Sequence, residues 1–306
     1  MIVLVVAEES AGAQALRLVA GRGHEVVGAL TSPDRTPGSV AAAADELGLP
    51  VLDPGLVRDP AFARWIVDHG VDLLVNVHSL RIAHEDVVAA PRIGSFNLHP
   101  GPLPRYAGLN APSWAIYEGE TRHAVTLHRM SGDVDAGAIA YEAWFDIGPT
   151  DTGLRVATTC VRLGVPLVGR LLDDAARGAE HVPATPQDPE GRRWFGRGAP
   201  DGGRLAWDVP ARRVVDRVRA SNYAPFPSPW GWPVAALDGR AVEIVRATRT
   251  GDPATDPPGV VGRARPGGVP VAAADEWVLV ERVRVDDAPT DPADVLTPGR
   301  RFAADR

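Results

Sequence analysis

An asparagine and a histidine stand two residues apart, at positions 97 and 99, where a short apolar run ends. Alternate residues of a strand point to the same face, so an extended run over residues 93–98 would present the Asn97 amide and the His99 imidazole together. Prolines at positions 100, 102 and 104 then end the strand, because proline has no backbone N–H to donate. The ends of strands are where α/β proteins place their reactive groups, so this pair is a candidate site.

A second polar stretch follows about thirty-five residues later, M-S-G-D-V-D-A-G-A-I at residues 130–139. It carries Asp133 and Asp135 in a glycine-flanked loop between two apolar runs. An amide and an imidazole can donate hydrogen bonds to an oxygen that becomes negative, and a carboxylate can accept a proton. Together the two stretches predict a small polar site for acyl chemistry.

The elements that would position these groups alternate along the first 178 residues. Strands are predicted at residues 2–6, 25–30, 72–77 and 93–98, with helices at 10–21, 40–48 and 60–70 between them. Further on, residues 111–118 and 151–177 favour helices, and residues 124–129 and 138–145 favour strands. Strands alternating with helices indicate a parallel-rich sheet with right-handed crossovers. This predicts an α/β, Rossmann-like domain over residues 1–178.

The remaining chain changes character. Residues 179–203 are rich in Pro, Gly and Arg and are predicted to form a linker. Residues 204–306 contain one helical stretch, at 211–220, and short strand-like runs at 234–248, 258–264 and 270–284. Short strands with Gly and Pro turns predict a small β-barrel, OB-like in size. The glycine-rich run at residues 21–28 precedes its strand, so a dinucleotide phosphate loop is not expected there.

Composition narrows the class of protein. The chain has 306 residues and a net charge of −7, with 45% hydrophobic and 23% charged residues. All 32 basic residues are arginine, which excludes Schiff-base chemistry and lysine-containing phosphate loops. The eight histidines and single Cys160 lack metal-ligand spacing, so no metal is expected. One cysteine, a first apolar run that fits a buried strand, and the lack of a long apolar segment predict a cytoplasmic protein without membrane contact.

The polar stretches also carry a family resemblance. N-L-H-P-G-P-L-P-R-Y-A-G followed by V-D-A-G-A-I resembles the signature of the folate-dependent formyltransferases in residue type, order and spacing. The resemblance implies that Asn97, His99 and Asp135 are catalytic, because the family's acid stands directly before a small residue and a glycine. It also implies 10-formyltetrahydrofolate as the co-substrate, without a metal.

The resemblance further implies where the two substrates bind. The folate-binding positions follow the strand at 72–77 or lie in the acid loop: Leu80, Arg81, Ile82, Gly132 and Val134. The acceptor-side positions are Ser10, Arg105 and Tyr106, of which the last two could equally be structural. His123 and Ala124 replace the Thr-Gly usual in the family, a change expected to reshape the acceptor side.

The acceptor is predicted from charge and from a second motif. L-N-A-P-S-W-A-I-Y-E-G-E-T resembles N-formyltransferases of specialised metabolism, such as peptide-synthetase formylation domains and enzymes for amino sugars or hydroxyornithine. Residues 201–306 hold fifteen arginines and fifteen acids, and this balance disfavours tRNA. We therefore expect a primary amine or hydroxylamine on a small or carrier-bound acceptor.

Three alternatives stay open at this point. Formylation of methionyl-tRNA uses the same chemistry, and the P-P-G-V-V turn near the C-terminus is similar to that of methionyl-tRNA formyltransferases. A folate-deformylating hydrolase is a weaker alternative, because such enzymes carry an extra N-terminal domain. A non-catalytic folate-binding module would not need Asn97, His99 and Asp135 together.

Overall fold

The computed structural model describes residues 1–303, which form two compact units. The first unit contains residues 1–108, 123–145 and 158–194, and the second contains 109–122, 146–157 and the described residues from 195 onward. The segments of each unit are therefore interleaved along the chain. The domain limits predicted from the sequence, 1–178 and 204–306, do not follow these units, because residues 111–117 pack against residues 211–220 of the second unit.

The first part of the chain contains nine strands and six helices. The strands are β1 (Ile2–Ala7), β2 (Glu25–Leu30), β3 (Val51–Leu52), β4 (Leu73–Val77), β5 (Gly94–His99), β6 (Ala107–Gly108), β7 (Arg122–Arg129), β8 (Ile139–Asp146) and β9 (Trp194–Phe195). The helices are α1 (Glu9–Gly21), α2 (Val40–Leu47), α3 (Phe62–Asp68), α4 (Glu85–Ala89), α5 (Ala111–Tyr117) and α6 (Gly153–Ala175). The predicted alternation of strands and helices is confirmed.

Seven of these strands form one sheet in the order β3-β2-β1-β4-β5-β7-β8. The pairs from β3 to β5 are parallel, and β7 runs antiparallel to β5. Side chains of β1 alternate between the two sides: Val3 and Val5 join one hydrophobic cluster, while Leu4 and Val6 join another. Burial on both faces explains why the central strands read as continuous apolar runs instead of alternating ones.

The described residues after β9 contain a helix, a five-stranded antiparallel sheet and a short last helix. These are α7 (Ala211–Ala220), β10 (Val234–Leu237), β11 (Arg240–Pro253), β12 (Val269–Ala272), β13 (Glu276–Val285), β14 (Ala288–Thr290) and α8 (Pro292–Val295). The sheet has the order β10-β11-β13-β12, and β14 pairs with β13. The predicted strand at 258–264 is wrong: only isolated bridges form at Val260 and Val261. The prediction of an α/β unit followed by a smaller β unit is confirmed.

Within residues 1–303, no helix combines the length and apolar character needed to cross a membrane.

Candidate active site

Three polar side chains lie abreast on neighbouring strands of the large sheet. Asn76 on β4 is the register partner of Asn97 on β5, and Asn97 is the partner of His128 on β7. The Asn76 amide donates from Nδ2 to Asn97 Oδ1 at 2.9 Å, and Asn97 Nδ2 lies 3.1 Å from His128 Nε2. Side chains of directly paired residues face each other on one side of a sheet, so the register itself creates this polar row.

His99 ends β5 and points to the same side as Asn97, as the strand period predicted. Its Nε2 donates to the Tyr106 carbonyl at 2.6 Å, which leaves Nδ1 3.5 Å from Asp135 Oδ2. Burial lowers the pKa of His99, and the nearby Asp135 carboxylate only partly opposes this effect. The lowered pKa favours the neutral form of His99, in which Nε2 carries the proton and Nδ1 is unprotonated.

Asp135 reaches these groups from the loop between β7 and β8. Its backbone is left-handed, with φ of +53°, and its side chain is buried. Oδ1 lies 3.3 Å from Asn97 Nδ2 and 3.4 Å from His128 Nε2, while Oδ2 accepts from the Gly108 N–H at 2.9 Å. Burial would raise the pKa of Asp135, but the positive charge that His99 or His128 carries when protonated, and the hydrogen bond from the Gly108 N–H, lower it well below its usual value. Asp135 is thus a carboxylate at any physiological pH.

Two side chains from the predicted linker hold the Asp135 loop, and neither contact was expected from the sequence. Gln187 Nε2 donates to the carbonyls of Asp135 and Gly137, at 3.1 and 2.7 Å. Arg192 donates to the carbonyls of Val134 and Asp135, at 2.6 and 3.0 Å. These contacts end on backbone oxygens, which no side-chain motif reveals. Residues 179–194, which fall within the predicted linker, group with the first unit.

The amide hydrogens of Asn97 are already engaged in this arrangement. Nδ2 carries two hydrogens, and its two acceptors are His128 Nε2 and Asp135 Oδ1. His128 Nδ1 donates to the Arg129 carbonyl at 2.7 Å, which leaves Nε2 free to accept. An oxygen that binds to Asn97 must therefore displace one of these two contacts. The site combines an exchangeable amide donor, an unprotonated imidazole nitrogen and a fixed carboxylate.

The positions expected to bind folate include three exposed apolar side chains. Leu80 and Ile82 follow β4 and are 66% and 65% exposed, and Val134 in the acid loop is 37% exposed. They are among few large apolar side chains that the described chain leaves in water. Gly132 is also exposed, and a Cβ there would meet only Glu85 Oε2 at 3.8 Å. Apolar groups exposed beside a polar site suit a flat aromatic ligand.

The three positions expected on the acceptor side differ in how far they are buried. Ser10 and Arg105 are exposed, whereas Tyr106 is only 1% exposed. Tyr106 instead acts through its carbonyl, which accepts the hydrogen bond from His99. Of its two predicted roles, burial favours the structural one.

His123 was expected to reshape the acceptor side, and the structure shows which groups its side chain contacts. The side chain is fully buried, with Nε2 donating to the Pro100 carbonyl at 2.9 Å. Its ring packs edge-on against Tyr106 and Phe145. Burial lowers the pKa of His123 to about 4. His123 therefore supports the segment after β5 from the interior of the first unit.

A half-buried amide beside a buried imidazole and a buried carboxylate, on the strands of a parallel-rich sheet, is typical of an α/β enzyme for acyl transfer. Residues 2–164 match the formyl transferase family, and residues 199–299 match the formyl transferase C-terminal domain. The chain belongs to the formyl transferase family, which confirms the resemblance seen in the sequence and the predicted enzyme class. Among residues 1–303, no group of three or more His, Cys, Asp or Glu side chains is arranged so that it could hold a metal ion.

Similar proteins include methionyl-tRNA formyltransferases and sugar N-formyltransferases. The methionyl-tRNA formyltransferase of Sorangium cellulosum is 32% identical over 292 residues, covering 92% of this chain and 91% of that relative. Its counterpart in Anaeromyxobacter dehalogenans is 32% identical over 293 residues, covering 91% and 90%. Among solved structures, an N-formyltransferase from Helicobacter canadensis with folinic acid and dTDP-3-aminofucose has a TM-score of 0.70 at 14% identity, covering 93% of this chain and all of that one. HypX from Aquifex aeolicus with tetrahydrofolic acid has a TM-score of 0.62 at 21% identity, covering 96% and 46%.

Proposed function

We propose that this protein transfers a formyl group from 10-formyltetrahydrofolate to an amine, with Asn97, His99 and Asp135 as its catalytic residues. The observation that carries the proposal is the convergence of these side chains. Asp135, thirty-six residues from His99 in sequence, lies 3.5 Å from its Nδ1 and 3.3 Å from the Asn97 amide. A formyl carbon beside Asn97 would face a donor for its oxygen and an acceptor for the proton of the amine.

In the proposed reaction the neutral amine attacks the formyl carbon and a C–N bond forms. The oxygen of the tetrahedral intermediate becomes negative and receives a hydrogen bond from Asn97 Nδ2, an interaction typically worth about 3–4 kcal/mol. His99 Nδ1 takes the proton lost by the amine. The intermediate then collapses, the bond to the folate nitrogen breaks, and the proton passes to that nitrogen.

Asp135 could act as the general base or as the partner that holds His99 in its useful tautomer. Its lowered pKa makes the carboxylate a weak proton acceptor, which favours the second role. A permanent negative charge 3.5 Å from Nδ1 stabilises the imidazolium that forms when His99 takes the proton. The carboxylate and the imidazole then work as one unit.

The folate donor is supported by the residues around the site. Leu80 and Ile82, exposed after β4, and Val134, exposed in the acid loop, suit the flat pterin ring. The backbone of the neighbouring Arg81 and Gly132 supplies polar groups for the ring edge. The structures of the Helicobacter canadensis N-formyltransferase and of HypX, which share this fold, were solved with folinic acid and tetrahydrofolic acid.

For the acceptor we propose a primary amine or hydroxylamine on a small or carrier-bound molecule of specialised metabolism, formylated in the cytoplasm. Ser10 and Arg105 are the exposed candidates to contact it. The charge of the second unit supports this choice. Six arginines of its sheet region pair with acids at 2.6–3.1 Å: Arg240–Asp286, Arg246–Glu281, Arg249–Glu276, Arg265–Asp252, Arg284–Glu243 and Arg300–Asp238. Arginines neutralised in this way offer little to a phosphate backbone.

Methionyl-tRNA is the second candidate acceptor. It is favoured by the 32% identity to methionyl-tRNA formyltransferases over more than nine-tenths of the chain. Residues 179–203 contain three arginines that could contact it, Arg192, Arg193 and Arg197. Arg192 donates to the carbonyls of the acid loop, so its guanidinium is held at this loop.

Thermal unfolding tests the donor. A ligand that binds only the folded state stabilises it by about 2.7 kcal/mol at one hundred times its dissociation constant. We expect 5-formyltetrahydrofolate to raise the melting temperature by several degrees, and NAD or ATP to leave it unchanged. Stabilisation by a nucleotide without any effect of folates would contradict the proposed donor.

A further inference from the structure

One polar residue interrupts the central strand of the large sheet. β4 has the sequence L-L-V-N-V, and all five of its residues are buried. Asn76 is its only polar member and is 7% exposed. A buried amide is costly unless it is hydrogen-bonded, and an apolar residue would suit this strand better. The presence of Asn76 therefore calls for a specific contact.

That contact is with Asn97. Asn76 Nδ2 donates to Asn97 Oδ1 at 2.9 Å, across a parallel pair in which the two residues are register partners. Among residues 1–303, the Oδ1 atom of Asn76 has no hydrogen-bond partner. The Asn76 side chain is thus committed to a single acceptor, the oxygen of the proposed catalytic amide.

We infer that Asn76 is a positioning residue that fixes the orientation of the Asn97 amide, so that Nδ2 faces the formyl oxygen. The two ends of an asparagine amide have nearly the same shape but opposite hydrogen-bonding roles. A donor at the Asn97 oxygen forces the NH₂ group to the opposite side, where His128 and Asp135 accept. This inference rests on the proposed function, because it concerns the donor to the formyl oxygen.

The contact with Asn76 is the one that persists during the proposed reaction. When the formyl oxygen binds, Asn97 Nδ2 must give up its hydrogen bond to His128 or to Asp135. Only one of these two acceptors then still helps to orient the Asn97 amide. Asn76 lies on the other side of Asn97, on a strand buried on both faces, and does not take part in this exchange. It holds the amide while the opposite contacts change.

Two substitutions remove the donor without disturbing the strand. Asn76→Val continues the β-branched pattern of β4, and Asn76→Leu is closer to asparagine in size. We expect both to lower kcat about 10- to 100-fold while KM for 10-formyltetrahydrofolate stays within about threefold, since an interaction used in the transition state is lost. Ser95→Ala is the matched control: it removes another buried polar side chain, on β5, which donates to the Val88 carbonyl instead. It should leave kcat within about threefold.

A double-mutant cycle separates positioning from general stability. If Asn76 acts through Asn97, Asn76→Val should cause no further loss of kcat in a protein that already carries Asn97→Ala. An equal loss of kcat from Asn76→Val in the wild-type protein and in Asn97→Ala would overturn the inference. Wild-type kcat in both Asn76→Val and Asn76→Leu would overturn it too. A wild-type protein without formyl transfer to any amine would instead overturn the proposed function.

A measurement without substrate tests the orientation directly. The side-chain amide signals of Asn97 in ¹⁵N spectra can be assigned through their loss in Asn97→Ala. We expect Asn76→Val and Asn76→Leu to shift and broaden these signals, while Ser95→Ala leaves them in place. Unchanged Asn97 signals in both Asn76 variants would overturn the inference even if the enzyme were inactive.

Discussion

At the scale of single residues, the site depends on a buried carboxylate between two imidazoles. Asp135 stays ionised because hydrogen bonds from the Gly108 N–H and the Asn97 amide compensate for its burial, and a protonated His99 or His128 would lower its pKa further. His99 stays neutral because burial outweighs the attraction of that carboxylate. The resting site thus holds one negative charge and an unprotonated nitrogen 3.5 Å from it, ready to receive a proton.

The negative charge of Asp135 can be tested by substitution. Asp135→Asn keeps the size of the side chain but removes the charge proposed to stabilise the imidazolium of His99. We expect turnover to fall by about two to four orders of magnitude, as loss of an acid–base partner does, with folate binding retained. Asp133→Asn in the same loop is the control, because Asp133 is exposed, and it should retain nearly full turnover. Wild-type turnover in Asp135→Asn would remove Asp135 from the mechanism.

The buried His123 predicts a pH dependence of stability. Its pKa is lowered to about 4 in the folded state, whereas an unfolded chain has a histidine pKa of about 6.5. Between these values the unfolded state binds a proton that the folded state does not, so stability falls as the pH is lowered. From pH 7 to pH 5 this single group should cost about 2 kcal/mol.

Urea unfolding at the two pH values checks this expectation. His123→Gln should lose about 2 kcal/mol less than the wild type over the same interval. His181→Gln, which replaces an exposed histidine, should lose as much as the wild type. An equal acid sensitivity of wild type and His123→Gln would show that His123 titrates normally.

At the scale of elements, the alternation of side chains along a strand could be predicted from the sequence. Hydrogen bonds from side chains to distant main-chain carbonyls could not. Asn97 and His99 were correctly placed on one face because they are two residues apart on β5. The role of Asn76 left a signal, a lone polar residue in an apolar strand, but its partner is known only from the register of β4 and β5. Gln187 and Arg192 left none, because they bind main-chain carbonyls far away in sequence.

Arg192, whose contacts could not be predicted from the sequence, is expected to support the loop that carries Asp135. Arg192 donates to two carbonyls of the acid loop, whereas Arg197, five residues later, is exposed. Arg192→Gln should therefore lower kcat about tenfold by loosening the loop that carries Asp135, a loss that corresponds to about 1.4 kcal/mol. Arg197→Gln removes the same charge and should have no such effect. Equal effects of both substitutions would mean that the arginines act as a charged surface and not as a support.

At the scale of the whole molecule, the charge of the protein favours a small or carrier-bound acceptor over methionyl-tRNA. The chain has a net charge of −7, and residues 201–306 hold as many acids as arginines. Many of these arginines are neutralised by direct pairing within the antiparallel sheet. A protein that holds tRNA must neutralise several phosphates, and its affinity would fall steeply with salt. The 32% identity to methionyl-tRNA formyltransferases points the other way, so the acceptor has to be measured.

An assay of formyl transfer by the purified protein is the most direct test of the proposed function. The protein would be supplied with 10-formyltetrahydrofolate and, separately, with a panel of small and carrier-bound amines or with initiator methionyl-tRNA. Mass spectrometry would detect the added formyl group, and Asp135→Asn would serve as the catalytic control. We predict formylation of at least one small or carrier-bound amine, lost in Asp135→Asn, and none of methionyl-tRNA above background. Efficient formylation of methionyl-tRNA with none of the amines would contradict the proposed acceptor, and no transfer to any acceptor would contradict the proposed function itself.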